Sequence, residues 1–169
     1  MDVKNSNLTF MSKIVEQFVC RQLVAHLELH GLMLGLQSAY RRGHSTETAM
    51  LKVISDVLLA ADSGQVSLLV LLDLSAAFDT VDHNILISRL HHAFGIQGLA
   101  QSWIESFIFK RTQAVSFAGN LSSVSLVTCG VPQGSVIGPV LFLLYTADVL
   151  VIVRRHSMTG HSYTDDTQV

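Results

Sequence analysis

Cysteine is scarce in this chain, which contains only 2 among 169 residues. Cys20 and Cys129 lie far apart and belong to no Cys-x-x-Cys pair, so a disulfide-rich scaffold and a cysteine-ligated zinc site are both excluded. The first residues, Met1 to Asn5, also lack the basic and then apolar order of a secretory signal. We therefore expect a reduced, intracellular protein.

Charged residues are also few. They make up 14% of the chain against 49% apolar residues, and the net charge is −2. A nucleic-acid-binding domain normally has a surplus of Lys and Arg, so the composition argues against strong autonomous binding to nucleic acid. The high apolar share predicts exposed hydrophobic surface and poor solubility.

The sequence has no apolar run that reads well as a membrane helix. Its most apolar stretch, Ser135 to Val153, contains Pro139 and Asp148, whereas a membrane helix needs about 20 mainly apolar residues. We interpret the stretch as a buried helix with Pro139 in its first turn, and we expect no membrane partner. Proline-rich linkers and repeats are missing too, which favours one shared core.

Apolar spacing, capping residues and glycines predict the other elements. The predicted helices run from Ser12 to Gly31, from Ser45 or Thr46 to Gly64, from Asp82 to Gly95, from Leu99 to Phe107 and from Gly138 to Val151. The predicted strands are Gln113 to Phe117 and Ser123 to Thr128, which are joined by a turn at Gly119-Asn120.

A continuous apolar run, Val66 to Leu72, leads directly into Asp73. It is too short for a typical helix and is typical of a strand covered on both faces. The sequence therefore predicts that Asp73 lies at the end of a buried strand.

Three short motifs occur in order along the chain: LDLSAAFD at residues 72–79, GVPQGS at 130–135 and YTDD at 163–166. Each is weak evidence alone. Asp73 alone fits a helix cap or turn, the Asp165-Asp166 pair fits a solvated turn, and Pro-Gln-Gly fits an ordinary strand-to-helix turn.

Taken together, the motifs resemble the reverse transcriptases of non-LTR (LINE-type) retrotransposons. The resemblance extends to QSAYRRGHSTET at residues 37–48 and RTQ at 111–113. It implies an RNA-directed DNA polymerase of the α+β class, a right-hand fold with fingers, an RRM-like palm sheet and no thumb. Residues 1–65 and 83–137 would be fingers-like, and residues 66–82 and 138–169 palm-like.

The resemblance also implies the ligands of the site: Mg²⁺ or Mn²⁺, deoxynucleoside triphosphates, and an RNA template with a DNA primer. Carboxylate oxygens suit Mg²⁺, and paired metal ions suit nucleotidyl transfer. By resemblance, the catalytic residues are Asp73, Asp165 and Asp166, and the metal site includes these three with Leu74. We interpret Asp79 as a helix cap instead.

Substrate contacts follow from the same resemblance. Phe78 is the aromatic that would exclude a 2′-hydroxyl, although it also fits an ordinary core position. Gln133 and Gly134 would contact the nucleotide or template. Arg41 and Arg42 are candidates for binding the triphosphate, because guanidinium groups suit phosphate, although Arg42 also fits a solvated surface.

The chain departs from the family pattern at Thr164, where Ala is usual, and at Ala39-Tyr40, where Gly-Phe is usual. Only three residues follow Asp166, so we expect the strand that pairs with residues 163–166, the thumb and the endonuclease to be missing and the isolated chain to be inactive. Three other functions stay open: an inactive retrotransposon remnant, a non-catalytic nucleic-acid-binding module and a nucleotidyl cyclase.

Overall fold

The computed structural model describes residues 10–33, 43–74, 76–117, 119–163 and 166–169. The helices are α1 (Phe10–Leu29), α2 (Thr46–Asp62), α3 (His83–His92), α4 (Gly98–Ile108), α5 (Gly138–Thr146) and α6 (Asp148–Arg155). The strands are β1 (Leu71–Leu72), β2 (Thr112–Gln113), β3 (Ser116–Phe117), β4 (Asn120–Leu121), β5 (Ser125–Leu126), β6 (His161–Tyr163) and β7 (Asp166–Gln168).

The chain divides into two compact units. The first combines the chain up to Gly31 with Ala76–Tyr145, and the second combines Leu32–Ser75 with Thr146–Val169.

The first unit has a helical core. Helix α3 packs against α4, and α5 is apolar all round, with nearly every residue from Val140 to Leu144 buried. The fully buried side chains of this core include Leu27, Leu86, Leu90, Ile104, Ile108, Leu141 and Phe142. Two polar contacts cross this core: His26 Nε2 of α1 lies 3.0 Å from the carbonyl oxygen of Phe94, in the turn after α3, and Arg89 Nε of α3 donates to the Leu144 carbonyl oxygen of α5 at 3.2 Å.

Strands β2 to β5 form an irregular hairpin in the first unit. Strand β2 pairs with β5 and β3 pairs with β4, both antiparallel. The predicted pair of strands is therefore confirmed, but Asn120 pairs with Phe117 instead of lying in the turn.

The second unit contains a three-stranded antiparallel sheet in the order β1-β7-β6. In the same unit, the side chains of Ala49 and Val53 in α2 and of Leu150 and Val153 in α6 are buried. A Cβ added to Gly160 would lie 2.9 Å from Val153 Cγ1, so the chain entering β6 needs glycine for this close approach.

Strand β7 corrects one prediction directly. We expected the strand that pairs with residues 163–166 to be missing. Asp166–Gln168 form that strand, and it is central, with β6 on one side and β1 on the other. The hairpin therefore needs no further residues to pair.

The apolar run before Asp73 also differs from its prediction. Only Leu71–Leu72 form a strand, and both residues are exposed, as are Val66 and Leu68. The prediction of a strand buried on both faces is wrong because no described element covers this run.

Most helix boundaries agree with the sequence. Ser45 caps α2, with its side chain and that of Thr48 forming a capping box, and Asp82 caps α3. Helix α1 begins at Phe10, two residues before the predicted start at Ser12. The helix predicted from Gly138 to Val151 is interrupted at Ala147, which separates α5 from α6. Among the described residues, no helix is long and apolar enough to span a membrane.

Candidate functional site

Asp73 directly follows β1, and Asp166 is the first residue of the neighbouring strand β7. Leu71 pairs with Gln168 and Leu72 with Thr167, so the next pair in this antiparallel register is Asp73 with Asp166. On its other side Asp166 pairs with Tyr163. Two of the predicted metal-binding residues, Asp73 and Asp166, therefore lie at the paired strands β1 and β7, although they are far apart in sequence.

The hydrogen-bond pattern indicates how close these two residues are. Val70 and Val169 exchange both backbone hydrogen bonds, at 2.8 and 2.9 Å. Since hydrogen-bonded and non-hydrogen-bonded pairs alternate, Asp73 and Asp166 continue the ladder as a non-hydrogen-bonded pair, for which the Cα atoms are typically about 4.5 Å apart. Their side chains then project on the same face.

Both carboxylates are exposed to solvent, and Leu74, the other predicted ligand, follows Asp73 directly. Asp165 lies outside the described residues, as does Thr164. Within the described ranges, no group of three or more His, Cys, Asp or Glu side chains is arranged to hold a metal ion. The described candidates are therefore two exposed carboxylates at β1 and β7, a hard oxygen chemistry that suits Mg²⁺.

In the first unit, the structure joins the Phe78 segment to the GVPQGS motif through the backbone. Val131 N donates to the Phe78 carbonyl oxygen at 2.9 Å, and Gly130 N donates to the Val81 carbonyl oxygen at 2.7 Å. Two motifs that are 50 residues apart in sequence thus form one local structure.

Gly130 is required at this junction. Its φ is +83°, and an added Cβ would lie 2.9 Å from the Asp79 carbonyl oxygen. Glycine in such a loop can allow the close approach of a ligand or of another backbone segment. At Gly130 the close approach is to the protein's own backbone.

The Gly130 carbonyl oxygen accepts two further hydrogen bonds. Arg111 Nη2 donates to it at 2.5 Å, and His83 Nε2 lies 2.8 Å away. Burial lowers the pKa of Arg111, and His83 is buried with its ring edge-on to Phe109. The sequence marked Arg111 as part of a motif, but nothing marked His83, which the pattern makes an ordinary helix residue.

Beyond Gly130 the loop is open. Gln133 and Gly134 are exposed, and a Cβ added to Gly134 would meet nothing within 4 Å. Phe78 is half-buried, with its ring centroid 4.7 Å from that of Phe142. Phe78 therefore packs in part on the helical core.

Asp79 does not cap the helix that follows it. It lies in a short 3-10 turn, Ala77–Asp79, and the N-cap of α3 is Asp82, whose Oδ1 accepts from Ile85 N at 2.9 Å. The interpretation of Asp79 as the cap is wrong, because the 3-10 turn delays the start of α3. Arg41 and Arg42 lie outside the described residues.

Sequence reasoning missed Glu16, a buried carboxylate of α1. Its Oε2 accepts from Ser135 Oγ and from Val136 N, both at 2.7 Å. These residues directly follow Gln133 and Gly134. A lone Glu on a helix gives no sequence signal for such a role, since acidic residues usually face solvent.

In the second unit, His161 of β6 is buried and its Nε2 lies 3.0 Å from Asp56 Oδ2 of α2. The hydrogen bond from Lys52 contributes most to lowering the pKa of Asp56, and His161 lowers it further. This contact links α2 to the strand that pairs with Asp166.

The chain was compared with known proteins. The family model described as reverse transcriptase (RNA-dependent DNA polymerase) matches residues 4–169. A probable RNA-directed DNA polymerase from transposon X-element of Drosophila melanogaster is 34% identical over 146 residues, covering 85% of this chain and 16% of the relative. The RNA-directed DNA polymerase from mobile element jockey of the same species is 29% identical over 169 residues, covering 97% and 18%.

This chain spans less than a fifth of the length of these curated relatives. Among solved structures, telomerase from Candida albicans, in complex with a fragment of telomeric RNA, is similar with a TM-score of 0.61 and 16% identity. The match covers 91% of this chain and 29% of that one. At this identity the likeness concerns the fold alone, which is a mixed helix and sheet fold of the reverse transcriptase type.

Proposed function

Because the chain belongs to the reverse transcriptase (RNA-dependent DNA polymerase) family, we propose that it is part of an RNA-directed DNA polymerase of a non-LTR retrotransposon. The reaction is transfer of a deoxynucleotide onto a DNA primer paired with an RNA template. The observation that carries the proposal is the register of β1 with β7, which makes Asp73 and Asp166 neighbours.

In this proposal Asp73, Asp165 and Asp166 hold divalent cations through their carboxylates, with the main chain at Leu74 as a further oxygen donor. Mg²⁺ bound there would make the primer 3′ oxygen more nucleophilic and neutralise charge on the departing pyrophosphate. The fit rests on the chemistry of the donors: one carboxylate directly follows β1, the other begins the neighbouring strand β7, and both are exposed.

Phe78 and the loop that follows Gly130 have the substrate-binding roles. Phe78 limits the space at the sugar 2′ position, and Gln133 with Gly134 contacts the nucleotide or template. Arg41 and Arg42 bind the triphosphate. The backbone bond between Val131 and Phe78 supports this assignment, because it ties the sugar-facing residue to the loop.

We assign the fingers to residues 1–65 and 83–137 and the palm to residues 66–82 and 138–169. We further propose a reducing, intracellular site of action, since Cys20 and Cys129 are both free thiols.

The first test is binding of Mn²⁺, an electron-spin probe that can replace Mg²⁺, measured by electron paramagnetic resonance on the purified chain. We expect Asp73→Asn, Asp165→Asn and Asp166→Asn each to weaken binding about tenfold or more, because each removes a charged oxygen ligand. Asp62→Asn is the control, since Asp62 ends α2 at an exposed position. Equal affinity in all five proteins would contradict the metal assignment.

A second test separates the alternatives. Fluorescence anisotropy with an annealed RNA–DNA template–primer should give binding that increases with Mg²⁺ and the complementary deoxynucleotide. If the affinity for the template–primer is the same with and without Mg²⁺, a non-catalytic nucleic-acid-binding module is favoured. No binding would favour an inactive remnant, and a cyclic product from nucleotide alone would favour a cyclase.

A further inference from the structure

Glu16 of α1 is only 1% exposed, the least accessible acidic side chain among the described residues. Its carboxylate accepts three hydrogen bonds. Ser12 Oγ donates to Oε1 at 3.1 Å, while Ser135 Oγ and Val136 N donate to Oε2 at 2.7 Å each. Two of the three donors belong to the segment that directly follows Gln133 and Gly134.

Burying a carboxylate is costly unless its oxygens are hydrogen-bonded. The short contacts to Ser135 and Val136 are of the charge-assisted kind, which are roughly twice as strong as neutral hydrogen bonds. Glu16 therefore joins α1 to a backbone N–H and a side chain that lie about 120 residues later in the chain.

The contact extends to the start of α5. Ser135 Oγ, which donates to Glu16, also accepts from Gly138 N at 2.9 Å. Gly138 begins α5, and a Cβ there would lie 3.2 Å from Ser135 Cβ. The side chain of Ser135 is thus fixed from both sides, by the carboxylate of α1 and by the first turn of α5.

The loop between Gly130 and Ser135 is consequently held at both ends. At its entry, the Gly130 carbonyl oxygen accepts from Arg111 Nη2 and lies within hydrogen-bonding distance of His83 Nε2. At its exit, Glu16 holds Ser135 and the residue after it. Gln133 and Gly134 lie between these anchors and are exposed.

We infer that Glu16 is a positioning residue that fixes the exit of the Gly130–Ser135 loop and so orients Gln133 toward the incoming nucleotide. The inference rests on the proposed function, because it takes Gln133 as a substrate contact. Glu16 itself touches no substrate. It acts by restricting the backbone at Ser135 and Val136, which limits the arrangements of Gln133 before the nucleotide arrives.

The test compares Glu16→Gln with two control variants of the same helix. Glu16→Gln keeps the shape and makes the contacts neutral. Glu28→Gln makes the same chemical change at an exposed position. Leu27→Val removes one methylene from a fully buried side chain and so destabilises the unit without touching the loop.

The first measurement is amide hydrogen exchange around Val136 in the free protein, which does not depend on any ligand. We expect Glu16→Gln to raise the exchange rate of this segment about tenfold, since a charge-assisted hydrogen bond becomes a neutral one. Neither Glu28→Gln nor Leu27→Val should raise it selectively.

The second measurement is the dissociation constant for a fluorescent RNA–DNA template–primer, with and without the complementary deoxynucleotide and Mg²⁺. We expect Glu16→Gln to weaken only the nucleotide-dependent binding, about tenfold, with binding in the absence of nucleotide unchanged. Leu27→Val should leave both constants unchanged well below its melting temperature. A general structural role for Glu16 would instead weaken both.

A double-mutant cycle isolates the contact. Glu16→Gln and Ser135→Ala should be clearly non-additive for nucleotide-dependent binding, because Glu16→Gln removes the charge that strengthens the Ser135 hydrogen bond and Ser135→Ala removes the bond itself. Should Glu16→Gln fail to fold, Ser135→Ala alone must loosen the exit of the loop and weaken nucleotide binding.

The failures are distinguishable. If the wild-type chain shows no nucleotide-dependent binding, that result contradicts the proposed function and also the orienting role of Glu16 that rests on it. If wild type and Glu28→Gln bind while Glu16→Gln binds equally well, the inference about Glu16 is overturned and the proposed function stands.

Discussion

Gly130 and Gly134 lie in the same loop and both have positive φ angles, of +83° and +75°, but only Gly130 is also crowded. Ala at either position must adopt a left-handed conformation, which costs about 1 to 2 kcal/mol. At Gly130 the added Cβ would also lie 2.9 Å from the Asp79 carbonyl oxygen and 3.0 Å from Asp79 Cα. Backbone must therefore move at Gly130 and not at Gly134.

We expect Gly130→Ala to lower the free energy of unfolding by at least about twice as much as Gly134→Ala, whose loss should stay within the conformational cost of about 1 to 2 kcal/mol. Urea unfolding followed by fluorescence of Trp103, the single tryptophan and a residue of α4, measures both. If both variants lose the same free energy of unfolding, the backbone at Asp79 moves away from the added Cβ at little energetic cost.

Phe78 has a packing role that the sequence left as an alternative. Its ring centroid lies 4.7 Å from that of Phe142, yet the side chain is only half-buried. An aromatic contact adds about 0.5 to 1.5 kcal/mol beyond the area it buries. The packing of the Phe78 ring affects stability, whereas its proposed role in substrate selection affects nucleotide discrimination, so the two can be measured separately.

In a longer polymerase that contains this segment, we expect Phe78→Ala to admit ribonucleotides while deoxynucleotide incorporation stays largely intact. Removing the ring vacates the volume that a 2′-hydroxyl would occupy. Primer extension with each nucleotide type measures the ratio, and a thermal melt reports the lost packing. Lower stability with unchanged discrimination would make Phe78 a core residue only.

Residues whose role depends on local chemistry were predictable from the sequence. Asp82 caps α3 as predicted, and α2 begins where predicted with Ser45 as its cap, because a cap depends only on the next three residues. Glu16 was not predictable, because its partners Ser135 and Val136 are distant in sequence. Asp73 and Asp166 were identified by motif, but only the strand register shows that they are neighbours.

At the scale of elements, the apolar run from Val66 to Leu72 shows where pattern reasoning fails. Composition favours a strand, and β1 forms within the run, but Leu71 is 71% exposed. An apolar pattern states which residues are suited to burial, whereas burial itself requires another element to cover them. The capped helix α2 formed as predicted because its start and end are set locally.

The contact between α2 and β6 gives an element-scale prediction about pH. The pKa of Asp56 is lowered, first by the hydrogen bond from Lys52 and further by His161. A lowered folded-state pKa adds stability above the ordinary Asp pKa of about 3.9, and this stability is lost as pH falls through the folded value. The carboxylate is partly exposed, so solvent screening keeps the contribution small.

We therefore expect Asp56→Asn to lower the urea midpoint at neutral pH, with the difference from wild type disappearing as pH falls below the ordinary Asp value. Far-UV circular dichroism measures the midpoints across the pH range. Asp62→Asn, at the exposed end of the same helix, should cause no such loss. A difference that persists in strong acid would assign the effect of Asp56→Asn to shape and not to charge.

At the scale of the whole molecule, substrate retention is the weakest feature of these 169 residues. With 11 basic and 13 acidic residues the net charge is −2, and affinity for nucleic acid depends heavily on Lys and Arg contacts to phosphates. Many large apolar side chains are also exposed, among them Val66, Leu68 and Leu99. Exposed apolar surface of this kind favours self-association, which competes with substrate binding.

The carboxylates add a second constraint. Asp73 follows the two-residue strand β1, Asp166 begins the three-residue strand β7, and both are exposed. Nucleotidyl transfer requires reacting groups to be held within a fraction of an ångström, and loosely supported ligands lose that placement. Binding of one metal ion tolerates this mobility far better than repeated transfer does.

We therefore expect these 169 residues alone to give little or no processive synthesis, although the sequence contains all three proposed metal ligands. A gel assay with annealed RNA template and DNA primer, Mg²⁺ and all four deoxynucleotides should show no multi-nucleotide products. Lowering the salt concentration should strengthen template–primer binding without producing long extension, because the strand-borne carboxylates remain loosely held. Robust extension that Asp73→Asn abolishes would overturn this prediction and would show that the short sheet holds the metal ligands firmly enough for repeated transfer.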